Sequence, residues 1–208
     1  MSHEPKPVIN REFEIEQPDE GAIVDPMAWY DSPGPWELEI GCGKGSFLLS
    51  RARDNPHIRM LGIEWANKYY RYTVDRMARW QQTNVRVMRT DAKIFVMRHL
   101  PPKCLDALHI YHPDPWPKKR HHKRRLIQTD FADAVSALLK PGAVWHLQTD
   151  HREYADQMQD VLCQRTDLEQ QHDQSIANVA GPEWEGTNFQ IKYAREGRPI
   201  YHFAFKRK

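Results

Sequence analysis

Four acidic residues and one glycine loop carry the first chemical signal of this chain. Glu39 stands at the head of Glu39-Ile40-Gly41-Cys42-Gly43-Lys44-Gly45, and Glu64, Asp91 and Asp114 each follow a short apolar run. Closely spaced glycines let the backbone turn tightly and let a ligand approach it. A P-loop needs GxxxxGK followed by Ser or Thr, but here Lys44 is followed by Gly45. A dinucleotide fingerprint needs GxGxxG, and here the third glycine comes one residue early. The remaining pattern, E-x-G-x-G-x-G, is the one used to hold S-adenosylmethionine.

Charge separates these readings. A dinucleotide brings an anionic pyrophosphate to such a loop, and Glu39 would repel it. S-adenosylmethionine carries an ammonium and a sulfonium against one carboxylate, so acids suit it. Glu64 is placed to accept both ribose hydroxyls. Asp91 is placed for the adenine edge, and Asp114 follows the fourth apolar run. Any one of these acids could be a helix cap or a solvated loop residue.

The second signal is His112-Pro113-Asp114-Pro115-Trp116-Pro117 followed by Lys118-Lys119-Arg120-His121-His122-Lys123-Arg124-Arg125. The prolines stiffen the segment and hold Asp114 and Trp116 with little entropy left to lose. Trp116 could stack on a base or cap the core. Six cations in eight residues could meet several phosphates, and the run sits beside the acids, which favours nucleic acid over a merely solvated face. If all six neutralise phosphates, log K against log salt should slope by about −4 to −5. Adjacent histidines on a helix point apart and no further ligand completes a set, so no metal site is expected.

Strand and helix patterns alternate around these residues. Trp36–Ile40, Met60–Glu64, Val85–Met88, Leu105–Tyr111 and Ala143–Gln148 read as strands. Helices are expected from Gly45 to about Arg53, over Tyr70, Val74 and Met77, near Lys93–His99, over Ile127–Leu138, and over Tyr154–Leu162. The basic run is expected to open the helix carrying Ile127, and Pro141-Gly142 to form a turn. Ile200–Phe205 reads as strand. Such alternation implies a doubly wound α/β sheet, whose ligands sit at the carboxyl ends of the strands. Residues 1–35 are Pro-rich and acidic and read as an arm. Residues 36–208 read as a single domain.

Composition bounds the rest. The chain has 208 residues, 40% hydrophobic and 11% aromatic, too apolar for a disordered tail and too polar for a membrane protein. The net charge of +2 hides an arm at −6 over residues 1–33. Cys42, Cys104 and Cys163 are widely spaced and odd in number, which suggests reduced thiols. With no long apolar run and no signal-peptide layout, a cytoplasmic protein without membrane attachment is expected, a monomer or homodimer.

The motifs ELEIGCGKG (37–45), LGIE (61–64), DA (91–92), PDPWPKKRHHKRR (113–125), HLQTD (146–150), TNFQ (187–190) and GRPIY (197–201) together resemble the bacterial tRNA (guanine-N7-)-methyltransferase family. The resemblance covers residues 36–205 and leaves the arm outside. It implies a Rossmann-like class I methyltransferase fold, a seven-stranded, mostly parallel sheet with an antiparallel last strand. It implies methyl transfer from S-adenosylmethionine to N7 of the variable-loop guanine of tRNA, guanine 46. Carried over, Glu39, Gly41, Gly43, Gly45, Glu64, Asp91 and Asp114 would bind the cofactor, with Asp114 also catalytic. Lys118, Asp150, Thr187, Asn188, Phe189 and Gln190 would bind substrate. Arg120, His121, His122, Lys123, Arg124 and Arg125 would contact RNA. The family usually has Glu where this chain has Gln190, an amide that hydrogen-bonds without charge.

Guanine N7 has a free lone pair, so the implied reaction needs no general base. Alignment would supply most of the rate, and a carboxylate beside the ring would stabilise the charge it gains. Asp114 is the candidate, and Asp114 or Asp150 could also accept from the guanine N1–H and N2–H. A methyltransferase of another RNA, a non-catalytic RNA-binding module and a nicotinamide-dependent oxidoreductase are the rival readings. Glu39 and the glycine spacing disfavour the last.

Overall fold

The computed structural model describes residues 12–174 and 199–208. Its strands are β1 (Glu14–Ile15), β2 (Trp36–Ile40), β3 (Arg59–Ile63), β4 (Val85–Met88), β5 (Leu105–Tyr111), β6 (Leu139–Thr149), β7 (Leu168–Gln174) and β8 (Tyr201–Arg207). Its α-helices are α1 (Ser46–Asp54), α2 (Asn67–Arg79), α3 (Ala92–Arg98), α4 (Thr129–Leu138) and α5 (Arg152–Cys163). The strands form one sheet in the order β1-β4-β3-β2-β5-β6-β8-β7. Parallel pairing runs from β1 to β6, and β8 lies antiparallel to both β6 and β7.

The central strands are buried on both faces, as expected where crossover helices cover a parallel sheet. On one face Leu38, Ile63, Ile110, Trp145 and Phe205 pack against α3, α4 and α5. On the other, Met60, Val85 and Val87 pack against α1 and α2. The helix stripe predicted through Val74 and Met77 is the buried stripe of α2, joined by Thr73. Strand order reverses between β2 and its neighbours β3 and β5, so a crevice opens at their carboxyl ends, where the glycine loop lies.

Three expectations change. Among the described residues the sheet has eight strands rather than seven, because Glu14 and Ile15 of the acidic arm pair with Val87 and Met88. Farther along the arm Tyr30 is buried and donates its hydroxyl to Met60 O at 2.8 Å. Pro141-Gly142 is not a turn between elements but part of β6, at an irregularity in its pairing with β5, with Gly142 at φ +85°. The basic run does not open α4. It forms its own 3-10 helix, Lys119–Arg124, and a short link that bends at Leu126 then leads into α4 at Thr129.

Candidate functional site

The crevice is a cavity of about 670 Å³ at the carboxyl ends of β2, β3 and β5. Its floor is the glycine loop. Gly41, Gly43 and Gly45 all have positive φ, at +79°, +55° and +66°. Gly45 has a second reason to lack a side chain: a Cβ there would come within 2.6 Å of Thr73 Cγ2. Thr73 is close because it locks the loop, donating its hydroxyl to Gly43 O at 2.7 Å. Arg76 adds a bond to Lys44 O at 3.0 Å. Helix α2 is therefore the clamp that shapes the loop.

Two of the four acids meet at this loop. Glu64 accepts the Gly43 N–H on one carboxylate oxygen and the Ala66 N–H on the other, both at 2.8 Å. Glu39 lines the same cavity but is buried, and among the described residues its Oε2 has no hydrogen-bond partner. Burial, and then the charge of Glu64, push the Glu39 carboxyl up to about 8. A buried carboxyl with a backbone bond from Leu48 but one oxygen left over, beside a second carboxylate, is a site that a cationic ligand would complete. A ligand carrying an ammonium beside ribose hydroxyls fits this donor set: Glu39 answers the cation, and the fixed Glu64 carboxylate keeps lone pairs for hydroxyls.

The other two acids differ. Asp114 is exposed and lines the cavity. Asp91 does not line it, although its neighbours Thr90 and Ala92 do. Asp91 caps α3 by accepting from Ile94 N at 3.1 Å. Trp116 stands on the cavity wall at φ +43°, half-buried, with the Arg124 guanidinium 5.0 Å from its ring centroid. It lines the cavity and is not among the residues packed into the hydrophobic core.

The basic segment divides into an outward and an inward part. Lys118, Lys119, Arg120, Lys123 and Arg124 are exposed, while His121 and His122 are half-buried. Arg125, expected to contact RNA, is 2% exposed. It donates to Pro115 O at 2.8 Å and to Gln157 Oε1 at 2.7 Å, and lies 5.0 Å from the Tyr154 ring centroid. The cause is the carbonyl of the proline-rich turn, which needs a donor that prolines cannot supply. Arg125 thus ties the Asp114–Trp116 turn to α5, a positioning role. Of the residues expected to bind substrate, Lys118 is exposed outside the cavity lining. Asp150 follows β6 and lies 3.8 Å from His112 Nδ1. Thr187, Asn188, Phe189 and Gln190 lie outside the described residues.

Sequence patterns did not single out the polar support beneath the cavity. Tyr111 lines the cavity, and its hydroxyl meets His109 Nδ1 at 2.9 Å. His109 Nε2 meets Glu37 at 2.9 Å, and Arg51 donates twice to Glu37, at 2.9 and 2.7 Å. Burial alone would raise Glu37, but the bonds from His109 and Arg51 outweigh it and hold the carboxyl near 2. Burial keeps His109 below its usual range, so the imidazole is neutral and bridges a carboxylate to a phenol. The visible clue is alternation within β2: Glu37 and Glu39 share the face opposite Leu38. His112 is the other unforeseen residue, lining the cavity at φ +53°. Exposed Trp65 and Tyr69 complete the rim.

Comparison with known proteins gives consistent matches. Residues 33–203 match a family described as "Putative methyltransferase". A tRNA (guanine-N(7)-)-methyltransferase of Alkalilimnicola ehrlichii is 35% identical over 203 residues, 94% of this chain and 82% of the relative. One from Nitrosospira multiformis is 34% identical, covering 92% of this chain and 82% of the relative. Among solved structures, TrmN from Thermus thermophilus superposes with a TM-score of 0.61 at 18% identity, over 88% of this chain and 47% of that one. The precorrin-6y C5,15-methyltransferase of Geobacter metallireducens does so at 0.59 and 16%, over 84% and 81%. These two likenesses establish the fold.

Proposed function

Since this chain belongs to the tRNA (guanine-N(7)-)-methyltransferase family, an S-adenosylmethionine-dependent enzyme family, we propose that it methylates N7 of the variable-loop guanine of tRNA, at position 46. The observation that carries this reading is the juxtaposition at one sheet edge: an acid-floored cavity, with five exposed cations leading away from its wall. The acids suit a cationic cofactor and the cations suit a polyanionic substrate. Among the described residues no helix is long and apolar enough to cross a membrane. A cytoplasmic location, beside the tRNA pool, accords with this reading.

S-adenosylmethionine supplies an electrophilic methyl group on a sulfonium. Glu39 would meet its ammonium and Glu64 its ribose hydroxyls, with the glycine loop against its backbone-like end. Asp114, at the exposed edge of the cavity, would stand beside the purine and stabilise the positive charge it gains. Tyr111, held from behind by His109, keeps the wall fixed while N7 is aligned, and alignment is worth about 7–11 kcal/mol in such reactions. Lys118 to Arg124 would hold the RNA backbone.

Incubation with labelled S-adenosylmethionine and unmodified tRNA, followed by mapping of the label, tests the reading. Label on N7 of the variable-loop guanine is expected. Label on another atom or another RNA, or none, refutes it.

A further inference from the structure

His112 is the residue the assigned roles leave unexplained. It follows β5 immediately, in the left-handed backbone region that residues other than glycine rarely occupy. Its N–H donates to Gln148 O at 2.8 Å, which carries the β5–β6 pairing one residue beyond the strand. That bond brings it level with the end of β6, where Asp150 follows. The imidazole is 4% exposed, the Asp150 carboxylate 20%, and Nδ1 lies 3.8 Å from Oδ1. His112 lines the cavity and Asp150 does not. The carboxylate therefore reaches the site through the imidazole.

We propose that His112, oriented by Asp150, reads the target guanine by accepting its N1–H; the proposal rests on the reading that a guanine is the methyl acceptor. At 3.8 Å the Asp150 carboxylate acts on the ring by its charge rather than by a formed hydrogen bond, and a negative charge on that side favours the tautomer with the proton on Nδ1 and the lone pair on Nε2. Burial lowers the imidazole pKa against the pull of Asp150, which keeps the acceptor form at neutral pH. Guanine presents N1–H as a donor, whereas adenine presents a lone pair at N1, so two acceptors would face each other. In the transfer itself the N7 lone pair forms the new N–CH3 bond while the sulfur–methyl bond breaks, its electron pair staying on sulfur. The positive charge passes to the purine and no proton has to move. The N1–H becomes more acidic as that charge arrives, so the bond to Nε2 strengthens toward the transition state. An interaction that grows along the reaction accelerates it, whereas uniform binding does not. Asp150, expected to touch substrate itself, becomes a positioning residue.

The test is a cycle between protein and substrate in the full-length chain. Wild type, H112G and H112N are given tRNA with guanosine or 1-methylguanosine at the target position, under single-turnover conditions. Glycine and asparagine both tolerate the left-handed backbone, and asparagine keeps an oxygen acceptor. H112G should lose at least about tenfold in rate on guanosine, in the range for one removed transition-state hydrogen bond, while binding of S-adenosylmethionine and tRNA is kept. Wild type should lose about 100-fold on 1-methylguanosine, and H112G should lose less than about threefold more, because contacting groups do not act independently. H112N should retain more rate than H112G. Full activity of H112G on guanosine, or penalties that simply multiply, overturns the proposal. If H112G does not fold, D150N decides: the 1-methylguanosine penalty should shrink at least about threefold, and an unchanged penalty overturns the idea. Wild type that fails to label N7 of guanosine sinks the functional reading instead, so the two failures are distinct.

Discussion

Arg124 and Arg125 are adjacent in the sequence and should fail in opposite ways when replaced by alanine. Arg125 makes two hydrogen bonds from a buried, charged donor and sits over the Tyr154 ring. Charge-assisted hydrogen bonds contribute roughly 1.5–3 kcal/mol each, and truncation leaves the Pro115 carbonyl and the Gln157 amide oxygen without that donor. Arg125→Ala should therefore cost about 3 kcal/mol or more in urea unfolding. It should weaken tRNA binding equally at every salt concentration, because the turn holding Asp114 and Trp116 loosens while no phosphate contact is lost. Arg124 is exposed, so Arg124→Ala should leave stability within about 0.5 kcal/mol. It should reduce the slope of log K against log salt by about 0.7–0.9, the contribution of one neutralised phosphate. With five exposed cations, the wild-type slope from this segment should be about −3.5 to −4.5 rather than the −4 to −5 of six. Binding titrations between about 50 and 200 mM KCl measure it, the range in which such slopes are resolved. If Arg125→Ala flattens the salt slope and leaves stability unchanged, Arg125 faces the RNA and the tethering argument is wrong.

Three further outcomes can be checked. Gly45→Ala meets both a left-handed backbone and a 2.6 Å approach to Thr73, so about 1–3 kcal/mol of stability should be lost, with weaker S-adenosylmethionine binding in a thermal-shift titration. Glu37 has a carboxyl near 2 when folded and near 4.5 as a free side chain. A lowered acid contributes stability that is fully present above about 4.5 and lost as pH falls toward 2, about 3 kcal/mol in all. Urea unfolding at stepped pH should show this loss in wild type, and Glu37→Gln should flatten it. Glu39 sits near 8 in the free protein and is mainly protonated at pH 7. Binding a cation beside it should release close to one proton, read by calorimetry in buffers of different ionisation enthalpy. Equal proton release by Glu39→Gln would assign that proton elsewhere.

Much of the fold was legible because it follows from local patterns. The apolar runs of β2 to β5 and the stripe of α2 are set by side-chain periodicity, and the acids after the strands locate the crevice edge. What escaped depends on partners distant in sequence. Asp91 is the local exception: the sequence already allowed it to be a cap, and the Ile94 N–H three residues on selects that role. Arg125 reads as one more cation of a basic run, and only the Pro115 carbonyl and Gln157 explain its burial. Pro141 and Gly142 suggested a turn ahead of the strand Ala143–Gln148, yet β6 runs through them, with an irregularity in its pairing with β5. Glu37 and His109 carry no local signal of their own, since each is the other's partner across β2 and β5, with Arg51 closing the charge.

The two residues of β1 have a consequence out of proportion to their length. A parallel sheet ends in a strand whose outer N–H and C=O groups can recruit any extended chain, including another copy of the protein. Here Val87 donates to Phe13 O at 2.8 Å, and Glu14 and Ile15 occupy the flank of β4. The acidic stretch thus blunts a sticky border with its own backbone and places negative side chains just outside it. This covered flank lies at the edge of the sheet farthest from β7.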